Sequence, residues 1–136
     1  MELNIRRLKE SDWETLTKWW DAWPKWVNPP KDFLPENGTG GLMVEKNDIP
    51  IVAGFIYYTN SKVALLEWVI SNPEYRDKDR KQAIELLLIG AEQVCKNQNV
   101  KYMFSVCKNK HLIETHEKLN WLVDKKPSYE ITKKIN

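Results

Sequence analysis

Apolar and polar positions along this chain follow two periods in turn, and the switch between them outlines an α/β domain. Residues 3–8 set Leu3, Ile5 and Leu8 towards one side and read as a short strand. Ser11 with Glu14 three residues on has capping-box spacing and predicts the start of a helix. In that helix Trp13, Leu16 and Trp20 share one face, while Trp19, Trp23 and Trp26 make a second stripe. Pro24 ends the pattern, and the proline- and glycine-rich stretch up to Gly41 predicts a long loop, a feature usually tied to function in compact domains.

From Leu42 the period becomes two. Residues 42–46 form one expected strand and 47–50 its turn, and residues 51–59, apolar on both faces, are expected to lie centrally. Residues 63–71 form a third, buried strand. Residues 80–96 return to helical spacing, with Ala83, Leu86, Leu87, Gly90, Ala91 and Val94 on one side. A strand at 100–106, a helix at 110–119, and a hairpin of 121–124 with 129–135 across 125–128 complete the reading. This order predicts one α/β domain, residues 1–136, with a mixed sheet. An antiparallel meander is followed by a β-α-β-α-β unit, with helices on both faces. The step from 63–71 through the long helix to 100–106 is expected to be a right-handed parallel crossover.

Composition narrows the function classes. The 136 residues contain no apolar run of the roughly 18 residues that a membrane span needs. The opening residues lack the apolar stretch of a secretory signal, which points to the cytoplasm. A net charge of +2 gives no strong pull towards nucleic acid or membrane, and the lysines are mixed with acids, which argues against a nucleic-acid groove. Cys95 and Cys107 fall in expected core elements and read as reduced thiols. His111 and His116, with no cysteine pair beside them, do not make a metal-ligand pattern.

Several strings carry a resemblance. Ile5-Arg6-Arg7-Leu8 with Glu10-Ser11-Asp12, then Asn72-Pro73-Glu74-Tyr75-Arg76, then Asn109 and His116-Glu117-Lys118-Leu119-Asn120-Trp121 resemble the Gcn5-related N-acetyltransferase superfamily over nearly the whole chain. Leu34-Pro35-Glu36-Asn37-Gly38 and residues 67–76 also resemble an uncharacterised, phage-encoded branch. The resemblance implies an acyl-CoA N-acyltransferase-like fold. It implies acetyl-coenzyme A as co-substrate and an amine, small or carried on a protein, as acceptor. Coenzyme A would then enter where the strands at 63–71 and 100–106 splay apart. Main-chain groups near Val69, Ile70 and Ser71 would hold the pantetheine, and Asn109 would contact it or cap the following helix. Arg76, Lys78, Asp79, Arg80 and Lys81 would hold the pyrophosphate at the helix start. Asp79 and Lys81 occupy positions that are glycine in the family, and the carboxylates of Asp77 and Asp79 oppose a phosphate by like-charge repulsion.

Glu67, a lone carboxylate in the apolar run 64–70, is the candidate base, because burial raises a carboxyl towards the useful range. The alternative is a structural glutamate at an edge or in a salt bridge. His116 stands where the family has a tyrosine acid, and the alternative there is an ordinary helix-surface residue. Trp19, Trp23 and Trp26 are candidates for the acceptor wall. They equally suit a catalytically inactive binding or assembly module built on residues 19–35, and a homodimer stays open.

Overall fold

In the computed structural model, which describes residues 2–24 and 27–135, five strands form one mixed sheet in the order β1-β2-β3-β4-β5. They are β1 (Asn4–Arg7), β2 (Gly41–Lys46), β3 (Ile49–Tyr58), β4 (Val63–Ser71) and β5 (Tyr102–Phe104). The first four pair antiparallel in sequence order, and β4 and β5 pair parallel. The helices are α1 (Asp12–Ala22), α2 (Arg80–Asn97) and α3 (Lys110–Lys118). Among the described residues no helix is long and apolar enough to cross a membrane.

The sheet separates two apolar layers. Against α1, Leu16, Trp19 and Trp20 pack on Met43, Ala53, Phe55 and Ile70. On the opposite face, Leu87, Leu88 and Ala91 of α2 pack on Leu42, Val44, Val52, Ile56 and Leu66, with Leu112 and Leu119 from the α3 side at the margin. Alternate residues of β2 serve alternate layers, as the pleat requires. Gly54 lets α2 come close: a Cβ there would meet Leu66 at 3.2 Å and Leu87 at 3.3 Å.

Four expectations change. The β2–β3 connection is a two-residue turn at Asn47 and Asp48, both at positive φ (53° and 64°), so Ile49 and Pro50 belong to the strand. Pro50 sits opposite Glu45, where the register shifts, a place that tolerates a missing N–H. The Ser11 side chain makes no cap. Instead Asp12, at the first helical position, accepts from the Lys9 N–H at 2.9 Å and from the two terminal guanidinium nitrogens of Arg6 at 2.8 and 2.9 Å. The last strand is short, Tyr102–Phe104, because β4 turns away from it. The hairpin of 121–124 with 129–135 does not form. Leu122, Tyr129, Ile131 and Ile135 are exposed, and a two-stranded hairpin with no face to bury is marginal in water.

The buried Asp12 ties β1 to the start of α1 through Arg6, which also reaches Glu45 on β2 at 3.1 Å. Burial opposes the Asp12 charge, but the Arg6 hydrogen bonds and the Lys9 N–H outweigh it, so its carboxyl titrates below the ordinary value. That stability is present above the unfolded carboxylate pKa and is lost as pH falls through the lower folded value. Asp12→Ala is expected to lower unfolding free energy by about 2 kcal/mol in urea titration at pH 7, with a smaller difference at pH 3.

Candidate active site

The site begins with a break in β4. Ala53 faces Ile70 and Phe55 faces Glu67, so Gly54 on β3 is opposed by both Trp68 and Val69. This is a β-bulge, and Trp68 adopts the left-handed conformation (φ 57°) that it needs. Alternation fails there. Glu67, opposite Phe55, and Trp68, packed on Trp20, lie consecutively on the α1 face. The strand also bends away from β5, and the β4–β5 ladder covers only Val63–Leu65. Beyond it the two strands form a fork, and the edge of Val69, Ile70 and Ser71 that would face β5 has no strand partner.

Glu67 spans the base of this fork. Its Oε1 accepts the Val106 N–H at 2.7 Å and lies 3.1 Å from the Ser105 hydroxyl, whose single proton is shared with the Leu66 carbonyl at 2.7 Å. Among the described residues no cation pairs with it. Burial pushes its carboxyl upward, the Val106 and Ser105 hydrogen bonds pull it back, and Glu130 adds to the rise. The net direction is up, as a base working near neutral pH requires.

His116 is a buried residue rather than one on the helix surface, at 4% exposure. Its Nδ1 lies 2.7 Å from the Leu112 carbonyl, an acceptor only, so the ring proton sits on Nδ1. Nε2 is then a bare lone pair, buried without a partner among the described residues. The ring stands edge-on to Trp121 at 4.7 Å, and burial lowers its pKa, so it is neutral. Asn109 caps α3, its Oδ1 accepting the Leu112 N–H at 3.0 Å.

The loop before α2 is arranged differently from its sequence. The Asp79 carboxylate is held by Lys46 Nζ at 2.8 Å and by the Tyr75 hydroxyl at 2.6 Å. Asp79 in turn pushes the Tyr75 phenol up to about 12. Its charge is thereby offset by a lysine 33 positions away, a partner that no local pattern signals. Arg80 donates to the Ser71 hydroxyl at 2.9 Å and lies over the Trp23 ring at 5.8 Å. Among the described residues it has no carboxylate partner, and burial together with Arg76 lowers its pKa. Arg76 and Lys78 are exposed beside it, and Lys81 is exposed in the first turn of α2, where amides lack intrahelical acceptors.

The tryptophans do not make the expected surface. Trp19 is a core side chain at 5% exposure, because α1 lies in a sheet face deepened by Trp68. Trp23 ties the end of α1 to the fork, its indole N–H donating to the Ser71 carbonyl at 2.8 Å. Trp26 lies outside the described residues. The aromatic surface beside Glu67 is instead made by Trp68, Tyr57 and Phe33. Sequence reading passed over them because the first two lie in strands read as core and Phe33 in an irregular loop.

The Glu67 shift gives a stability test. Its folded pKa is raised, so the native state holds that proton more tightly than the unfolded chain. Stability from this group therefore falls as pH climbs from about 4.5 through the raised value. Glu67→Gln, which keeps an acceptor for Val106, is expected to gain stability relative to wild type as pH rises from 4 to 7. Urea titrations at several pH values would check this, and a constant difference would contradict it.

No family model matches the sequence, and no curated protein matches it. Solved structures do. The N-acetylglutamate synthase of Neisseria gonorrhoeae, complexed with coenzyme A and N-acetyl-glutamate, aligns with TM-score 0.69 at 10% identity over 86% of this chain, which spans 28% of that one. The ribosomal-protein-S18-alanine N-acetyltransferase of Escherichia coli aligns with TM-score 0.69 at 16% identity, covering 88% of this chain and 77% of its own. The aminoglycoside N-acetyltransferase AAC(6')-Iy in complex with CoA aligns with TM-score 0.62 at 18% identity over 96% of this chain and 95% of its own. The chain therefore shares the acyl-CoA N-acyltransferase-like fold of these acetyltransferases, as the resemblance implied.

Proposed function

We propose that this protein transfers an acyl group from acetyl-coenzyme A to an amine, both bound together. The observation that carries this reading is the fork between β4 and β5 with Glu67 at its base. Solved neighbours of the same fold carry coenzyme A in their complexes. Among the described residues the fork edge at Val69, Ile70 and Ser71 has no strand partner, and apart from the Ser71 carbonyl, which Trp23 occupies, it is offered to an extended pantetheine arm. Arg76, Arg80, Lys78 and the amides of Lys81 and Gln82 supply positive charge and donors for the pyrophosphate. Lys46 and Tyr75 hold the Asp79 carboxylate, which removes one of the two like charges opposing the ligand, and the other, exposed Asp77, is outnumbered by Arg76, Lys78, Arg80 and Lys81.

Acetyl-coenzyme A, when bound, supplies a thioester carbonyl carbon open to attack. Glu67 accepts a proton from the ammonium form of the acceptor, giving a free amine. The amine nitrogen attacks the carbonyl carbon; the new C–N bond forms, the C–S bond breaks, and one of the two N–H protons left on a primary amine ends on sulfur while the other stays in the amide. The proton held by Glu67 returns to solvent. His116 is not given the acid role, because in its neutral form Nε2 carries no proton to donate.

Calorimetric titration of acetyl-CoA and coenzyme A at low and moderate salt tests the reading. Binding is expected with a dissociation constant on the order of micromolar, weaker at higher salt. Arg80→Ala is expected to weaken it about tenfold, the scale of one charge-assisted phosphate contact. No binding of either ligand overturns the proposal. In thiol-release assays with a competent amine, Glu67→Gln is expected to lower kcat about a hundredfold or more. Acetyl-CoA affinity should stay unchanged, and intact turnover would remove Glu67 from the base role.

A further inference from the structure

The α1 face of the bulge carries more than a base. Because alternation breaks at Trp68, its side chain and that of Glu67 lie consecutively on one side of the sheet. Phe33, from the 3₁₀ turn Lys31–Phe33, meets that indole edge-on at 5.9 Å and 88° and is 49% exposed. The corner is fastened rather than loose. The Tyr57 hydroxyl donates to the Phe33 carbonyl at 3.0 Å and is also hydrogen-bonded to the Trp68 side chain. Trp68 is backed by Trp20 at 6.2 Å. Two rings at right angles, latched by a phenol that feels the Glu67 charge, thus share a sheet face with one carboxylate.

That arrangement selects among amines by chemistry. A single carboxylate suits a single ammonium, and aromatic rings beside it suit a flat apolar body while adding cation–π attraction. Glu130, the other acid close enough to affect Glu67, is paired with Lys108 at 3.8 Å. A polyamine or an aminoglycoside would bring several hydrated ammonium groups to a site with one carboxylate, where the rings repay only part of their desolvation. We propose, resting on the acyl-transfer reading above, that the acceptor is an aralkylamine, a primary monoamine on an aromatic body. Its ring lies on Phe33 and Trp68 and its nitrogen at Glu67, and Phe33 determines this specificity.

The test is a thiol-release assay at saturating acetyl-CoA with phenethylamine and tryptamine against spermidine, kanamycin and glutamate. The aralkylamines are expected to show kcat/KM at least about tenfold above the others, the scale of one cation–π or stacking contact. Phe33 is half exposed, so Phe33→Ala should fold. It is expected to raise the phenethylamine KM about tenfold, with the acetyl-CoA KM and melting temperature unchanged, and Phe33→Trp to restore it. Acetyl-CoA binding measured on the same preparation separates the two levels. If it binds but spermidine, kanamycin or glutamate is the better acceptor, or Phe33→Ala leaves the phenethylamine KM unmoved, the substrate class is overturned while acyl transfer stands. If acetyl-CoA does not bind, acyl transfer fails and the acceptor proposal falls with it.

Discussion

One extra residue in β4 governs the rest of the molecule. Without the bulge, the ladder to β5 would run on past Leu65 and Trp68 would point to the α2 side, already filled by Leu66, Val69 and Leu87. With it, the strand bends, the fork opens, and Glu67 and Trp68 share a face. A left-handed conformation at a bulky residue is uphill by about 1–2 kcal/mol. The surroundings hold it there: Trp20 and Phe33 pack against the indole, and Tyr57 is hydrogen-bonded to it. Strain that is over-determined by packing in this way is characteristic of functional sites.

Opening a sheet leaves backbone groups unpaired, and Glu67 answers part of that need. Among the described residues Val106 has no strand partner, and its N–H is satisfied by Oε1 of the same carboxylate proposed as base. The structural and catalytic readings of this residue are therefore not rivals. The donors that make it a strut also hold its charged form, while burial resists that form. A similar economy holds at the start of α2. Lys46 and Tyr75 compensate Asp79, while Arg80, supported by Trp23 and Ser71, faces no acid of its own. In a loop without glycine, one of the two carboxylates is thus offset by tertiary contacts rather than by its neighbours in sequence.

Those contacts explain what the sequence could and could not convey. The meander, the long helix and the layered order were legible because each rests on local periodicity, and β2, β3, β4 and α2 fall within a residue or two of expectation. The bulge was not, since Trp68 is neither glycine nor asparagine and its neighbours read as an ordinary buried strand. The same blindness put Trp19 on a surface. Both stripes of α1 are aromatic, and only the depth of the opposing sheet decides that Trp19 and Trp20 are both buried. The period-two pattern at 129–135 was real but insufficient, because a strand also needs a partner edge and a face to cover. Glu67 was legible as a lone carboxylate in an apolar run; its partners Ser105 and Val106 lie almost forty residues away.

Burial acts on the two titratable candidates in opposite senses and leaves one of them fit to move protons. It raises Glu67 and lowers His116, pressing both towards the neutral form. Glu67 is offered two donors that sustain its anion, and among the described residues its second oxygen makes no hydrogen bond. His116 is offered the reverse: its Nδ1 proton is donated to the Leu112 carbonyl, its other nitrogen is enclosed, and among the described residues no carboxylate stands by to favour the imidazolium. A group that neither charges readily nor presents a proton is suited to packing α3 against Trp121. Under the proposed acyl transfer, proton transfer then rests on Glu67, and the aromatic corner proposed to place an ammonium beside it matters as much as the proposed base itself.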